Sequence, residues 1–171
     1  MGKLQDYRNS LEGSLRQSTL CILVREGQVL LAMKKRGFGE GRWNGVGGKP
    51  NADETIENAA VRETQEEIGV KPTSLKRMAT LNFYFPDVPL DKDWNQQVCL
   101  FLVDQWEGEP AETEEMEPQW FNLSEIPYDF MWPDDIYWLP KVLQGISVKG
   151  DFMFGKNQEL EEFELQEGSW Q

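Results

Sequence analysis

The 171-residue sequence contains no histidine. That absence removes the commonest general base, the Ser-His-Asp and Cys-His arrangements, and any histidine-ligated zinc site. Cysteine is nearly absent as well. Cys21 and Cys99 stand in apolar runs, where a buried thiol rather than a disulfide framework is the expected state. No apolar stretch approaches the roughly 20 residues of a membrane span. The polar, mixed-charge start of the chain does not read as a secretory signal, and Asp6 stands where an N-myristoylation motif wants Ser or Thr. A reduced, cytoplasmic protein without a membrane partner is the expectation. Bases are scarce: 17 Lys and Arg stand against 30 Asp and Glu, for a net charge of -13. Such a chain is repelled by a nucleic-acid backbone. A small phosphate ligand stays open, because a bound metal can screen the site locally.

What is present suffices for one domain with a proper core, at 39% hydrophobic and 12% aromatic residues. Residues 1–16 read as a polar extension, and residues 17–171 as a single domain that includes a short acidic C-terminal tail. Thr19–Val24 and Val29–Met33 read as strands, with Glu26-Gly27 turning between them. A glycine-rich stretch runs from Gly37 to Gly48. Glu54–Gly69 is the clearest helix, stopped by its glycine. Strand-like runs recur at Met78–Phe85, Val98–Val103 and Gln119–Phe121, and weaker ones at Phe152–Phe154 and Glu161–Leu165. A second helix fits Asp134–Leu143, where Pro140 predicts a kink or a 3₁₀ step. Strands before a helix, more strands, then one late helix make an α+β pattern. Residues 104–117 hold seven acids and 159–167 hold five, with no base in either segment; both read as solvated surface.

The first helix carries the chemistry. Ile56, Ala60, Val61, Thr64 and Ile68 share one arc of about 140°, suited to packing on a sheet. Glu63, Glu66 and Glu67 form a stripe at its edge, and Glu57 fits the apolar arc poorly. Three neighbouring acids repel each other, and a hard divalent cation with oxygen ligands relieves them; a solvated acidic face is the alternative. Gly45-Val46-Gly47-Gly48-Lys49 leads toward this helix, and glycines let backbone amides approach an anion closely.

Gly48, Glu54, Arg62-Glu63, Glu66-Glu67 and Gly69-Val70 resemble the Nudix box, with Thr64 in a slot that is usually apolar. Beyond the box, Met33–Gly39, Gly41–Gly45, Glu115-Met116 and Met131–Asp135 are similar to the animal-type MutT-homologue branch of that family. The similarity spans about Thr19 to Phe154.

The resemblance implies an α/β/α sandwich around a mixed β-sheet. It also implies Mg²⁺-dependent hydrolysis, with Mn²⁺ as an alternative ion, of oxidised purine nucleoside triphosphates such as 8-oxo-dGTP and 2-oxo-dATP. Water attacks the β-phosphorus, and the products are the monophosphate and pyrophosphate. On this resemblance Glu63, Glu66, Glu67, Glu115 and the Gly47 carbonyl hold the metal. Arg62 orients the glutamates, and Glu66 or Glu67 takes the proton. The substrate site comprises Thr19, Lys34, Phe38, Asn44, Val46, Gly47, Gly48, Lys49, Phe83, Trp132, Pro133, Asp134 and Asp135, with Lys49 facing a phosphate or a helix acid. Adjacent buried acids do not both ionise easily, so one of Asp134 and Asp135 is expected to keep a proton.

Val46, Gln96 and Gln97 depart from that branch at the expected pocket wall, and the 86–97 loop is longer. Other readings therefore stay open: a Nudix hydrolase for undamaged dNTPs, methylated purine nucleotides or ADP-ribose, a non-catalytic nucleotide sensor, or an acidic interaction protein. A monomer acting on small nucleotides is expected, with nucleotide-pool sanitation as its role.

Overall fold

The computed structural model describes residues 2–168; Met1 and residues 169–171, the ends of the extension and of the tail, lie outside the described residues. In chain order the elements are α1 (Lys3–Ser10), β1 (Arg16–Arg25), β2 (Gln28–Lys34), β3 (Trp43–Asn44), α2 (Ile56–Ile68), β4 (Lys71–Pro72), β5 (Lys76–Tyr84), β6 (Gln96–Val103), β7 (Trp106–Glu107), β8 (Met116–Asn122), α3 (Asp135–Leu143), β9 (Val148–Phe154) and β10 (Leu160–Glu167). Eight strands form one sheet in the order β10-β9-β5-β6-β1-β2-β3, with β8 also pairing β2. The β1–β6 and β5–β9 pairs are parallel and the rest antiparallel, so the sheet is mixed. β4 and β7 form a separate ribbon.

Strand alternation splits the core into two layers. On one face Ile22, Leu31, Leu81, Leu100 and Phe152 pack with Trp138, Leu139 and Val142 of α3. On the other, Cys21, Leu23, Leu30, Cys99 and Phe101 pack with Ala60 and Ile68 of α2. The expected α/β/α sandwich is thus formed. Both cysteines are free and buried, and burial pushes their thiols up to about 12 for Cys21 and about 11 for Cys99.

α2 begins where its chemistry dictates. Thr55 caps it by accepting the Asn58 amide at 3.1 Å, and Gly69 ends it in a left-handed conformation at φ 75°. Its buried residues are Ala59, Ala60, Thr64 and Ile68; Val61 is half-buried and Glu57 is exposed. Thr64 is tolerated in its apolar slot because its hydroxyl donates to the Ala60 carbonyl at 2.8 Å. α3 runs through Pro140 as an α-helix rather than switching to a 3₁₀ step there. The carbonyl that loses its usual donor belongs to Ile136, which is exposed.

The polar extension and the acidic tail are both ordered parts of the fold. Residues 3–10, within the polar extension, form α1, whose Leu4 packs against Tyr84 and Met153. Its low content of apolar side chains hides this docking, because one leucine and one tyrosine make the contact. The acidic tail is β10, an edge strand paired along β9. Its glutamates are not all merely solvated: Glu162 accepts the Leu4 amide at 2.5 Å, and Glu164 pairs with Arg8 at 3.5 Å.

Candidate active site

The glycine-rich segment is held against β1 by backbone pairing. Cys21 and Val46 exchange hydrogen bonds at 2.6 and 3.0 Å, and Thr19 N–H donates to the Gly48 carbonyl at 2.9 Å. The Thr19 hydroxyl accepts from Gly48 N–H at 3.1 Å and lies 3.2 Å from the Gly48 carbonyl. A Cβ at Gly47 would stand 1.9 Å from the Thr19 carbonyl oxygen, and one at Gly48 would stand 2.5 Å from the Glu63 carboxyl carbon. At Gly47 the neighbouring backbone excludes a side chain, whereas at Gly48 a side chain would displace the Glu63 carboxylate.

Arg62 organises the acids of α2. It donates to both Glu54 oxygens at 2.9 and 3.0 Å, to Glu63 at 2.8 Å, to Glu66 at 3.3 Å and to the Lys49 carbonyl at 2.9 Å. The hydrogen bonds from Arg62 hold the Glu54 carboxyl below its usual range, and those same acids keep the guanidinium firmly charged. Glu67 is left apart, with its Oε2 buried and without a hydrogen-bond partner. Burial, reinforced by the charge of Glu63, pushes Glu67 up to about 7; Glu115 adds to the rise, while Lys34 and the Gly47 backbone oppose it. Glu115 lies on an exposed loop, pairs with Arg36 at 3.3 Å and is tethered through its carbonyl to the Lys35 amide at 2.9 Å.

A buried acceptor without a partner, its pKa raised by burial and by the charges of Glu63 and Glu115, has the donor chemistry that a hard divalent cation takes up. Glu63, Glu66, Glu67 and Glu115 therefore fit such an ion. Among the described residues no three of them form a ready-made cage, because Glu63 and Glu66 are turned onto Arg62.

Glu67 also lines a cavity of about 170 Å³ that runs from α2 to the start of α3. Thr19, Lys34, Phe38, Asn44, Gly47, Phe83, Trp132, Asp134 and Asp135 share its wall. Asn44 accepts the Gly45 amide through Oδ1 at 2.8 Å, which leaves its NH₂ for a ligand. Asp134 and Asp135 are only 1% and 4% exposed. Burial pushes Asp134 up to about 6, opposed by the hydrogen bond from Trp138 Nε1 at 2.8 Å. Asp135 is driven well above its usual range by burial and by the charge of Asp134, and its Oδ2 has no partner. The expectation that one of this pair keeps a proton agrees with these shifts.

Several sequence expectations require correction. Val46 does not line the cavity; it is 3% exposed in the core beneath α2, beside Cys21, because its strand-like pairing turns it to the opposite face of the sheet. Gly48 acts from behind, on Thr19 and Glu63. The Lys49 ammonium lies 4.0 Å from Asp93 rather than on an acid of α2, while its carbonyl accepts from Arg62. Pro133 is not on the cavity wall, and Gln97 turns away to donate to Asn82 at 3.0 Å, whereas Gln96 does line the cavity.

Arg42 was missed as a site residue. It lines the cavity, its guanidinium lies 3.9 Å above the Trp132 ring, and its charge counters that of Asp134 and Asp135. Ser18, Phe85, Met116, Trp138 and Phe154 also contribute wall without a local signal.

Comparison with known proteins agrees with this geometry. A family model described as NUDIX domain matches residues 14–142. The chain is 45% identical to an oxidized purine nucleoside triphosphate hydrolase from Danio rerio, over 87% of this chain and 93% of that protein. It is 44% identical to the protein of the same description from Mus musculus, with the same coverage. A MutT protein structure from Bacillus halodurans superposes with a TM-score of 0.76 at 26% identity, covering 88% of this chain and 97% of that one.

Proposed function

Because the chain belongs to the Nudix family, we propose that it hydrolyses oxidised purine nucleoside triphosphates to the monophosphate and pyrophosphate. The observation that carries this reading is the single cavity joining Glu67 and Gly47 at one end to Asn44, Trp132, Asp134 and Asp135 at the other. One end suits a phosphate chain beside carboxylates, and the other suits a flat heterocycle with donors and acceptors on its edge.

Enzymes of this family use a divalent metal; Mg²⁺ is the ion proposed here, on Glu63, Glu66, Glu67, Glu115 and the Gly47 carbonyl. When bound, it lowers the pKa of a coordinated water and spreads the charge that develops on phosphate oxygens. Arg62 keeps Glu63 and Glu66 aligned, and Lys34 provides positive charge at the cavity wall near Glu67. Water adds its oxygen to the β-phosphorus, the bridging oxygen leaves with the nucleoside monophosphate, and a carboxylate of α2 receives the water proton.

At the other end Trp132 offers a stacking face backed by Arg42, and the buried acid pair reads the base edge. Oxidation at C8 turns N7 of guanine from an acceptor into a donor. An acid that accepts from it is left facing a lone pair in unmodified dGTP, and buried mismatches of this kind discriminate strongly. The acidic surface suits free nucleotides better than nucleic-acid polymers; a cytoplasmic monomer is the accompanying proposal. No helix among the described residues is long and apolar enough to cross a membrane.

A kcat/KM panel over oxidised, methylated and unmodified purine triphosphates tests the reading. At least about a tenfold preference, roughly 1.4 kcal/mol, is expected for 8-oxo-dGTP or 2-oxo-dATP over dGTP and dATP. Equal rates defeat the substrate assignment and leave the hydrolysis standing. Glu67→Gln tests the carboxylate end: turnover should fall by about a hundredfold or more while the melting temperature holds. Full activity with unchanged metal dependence sinks the Glu67 role.

A further inference from the structure

α1 lies outside the phosphate and base chemistry, yet one of its side chains connects to the aromatic wall of the cavity. The helix is firmly seated. Leu4 is 1% exposed, and Arg8 pairs with Asp151 at 3.2 Å. In this position the ring edge of Tyr7 packs on Tyr84 at 6.1 Å, and its hydroxyl accepts a hydrogen bond from Asn95 Nδ2 at 2.9 Å. The other half of the same amide, Oδ1, accepts from the Phe85 N–H at 2.7 Å.

Both groups adjoining Asn95 shape the base end of the cavity. Phe85 lines it and stacks on Phe154 at 5.0 Å. Trp94, next in chain to Asn95, packs on Phe85 at 5.4 Å and on Phe38 at 4.5 Å. Phe38 in turn meets Trp132 at 5.2 Å. A single amide therefore clamps the end of β5 to the loop carrying Trp94, and Tyr7 fixes the rotation of that amide. Loops held by few contacts open easily, and losing this clamp leaves the half-buried Phe85 N–H without a partner.

We propose that Asn95, oriented by Tyr7 of α1, is a positioning residue that sets base affinity and selectivity by fixing the Phe85–Trp94–Phe38 wall. The proposal rests on reading this end of the cavity as the base site. α1 is accordingly part of the substrate-recognition apparatus, although it touches no substrate.

The test is steady-state kinetics on the full chain, using the purine triphosphate that the wild type cleaves best and its unmodified or oxidised counterpart. Asn95→Ala should raise KM by about three- to tenfold and narrow the ratio between the two bases, with kcat held within about twofold. Asn95→Asp should restore both, because a carboxylate accepts from Phe85 N–H and from the Tyr7 hydroxyl together. Tyr7→Phe keeps the ring packing and should fall between. Thermal melts confirm that each variant is folded. An Asn95→Ala enzyme with unchanged KM and base ratio overturns the proposal, as does equal impairment of Asn95→Ala and Asn95→Asp. The base-site reading fails separately, and takes the proposal with it, if the wild type turns over purine and pyrimidine triphosphates alike.

Discussion

Asp134 and Asp135 show how much a single side chain's surroundings decide. Acids in the first turn of a helix ordinarily complement its dipole. Here both are buried, and burial drives their carboxyls upward, Asp134 to about 6 and Asp135 well above its usual range. The folded protein thus binds protons that the unfolded chain has released. Stability from these groups is fully present below the unfolded value of about 4 and is lost as pH rises through the folded values. Asp135→Asn removes one titration. Its melting temperature should match the wild type's at pH 4 and exceed it by roughly 2–4 °C at pH 8, about 1 kcal/mol. Parallel melting curves across that range would show that Asp135 does not carry the pH dependence.

At the scale of elements, the glycine segment, β1 and α2 operate as one unit. Thr19 grips Gly48, Gly47 lies against the Thr19 carbonyl, and the Gly48 position presses on Glu63. Backbone sits against backbone at Gly47, so no rotamer change can relieve a side chain there. Gly47→Ala must push the segment off β1 and shift Glu63 and Glu67 away from the phosphate path. A loss of kcat/KM of about a hundredfold or more is expected, with a destabilisation of about 1–3 kcal/mol. A near-normal enzyme would mean that the segment can move away without consequence.

For the whole molecule, a net charge of -13 opposes the approach of an anionic nucleotide. Raising the salt from 0.01 to 0.15 M shortens the screening length from about 30 to about 8 Å. With free Mg²⁺ held constant, kcat/KM should rise by about twofold over that range, through association rather than chemistry. A fall would show that Lys34, Lys35 and Arg42 dominate the field that the substrate meets.

The sequence by itself determined the carboxylate helix and its stop, the sharing of one stripe by Glu63, Glu66 and Glu67, the burial of both cysteines and the α+β class. All of these follow from local periodicity, which a few neighbouring residues settle. Only the tertiary structure decided that Val46 enters the core while Gln96 meets the cavity, because strand register assigns alternate residues to opposite faces. It likewise placed Arg42 over Trp132, docked α1 on β5 and β9, and set the strand of the acidic tail at the sheet edge beside β9. Each of these depends on groups far apart in the chain, Leu4 and Glu162 being the extreme. Such pairings depend on where the folded sheet sets the two ends, and helical or strand periodicity carries no record of that.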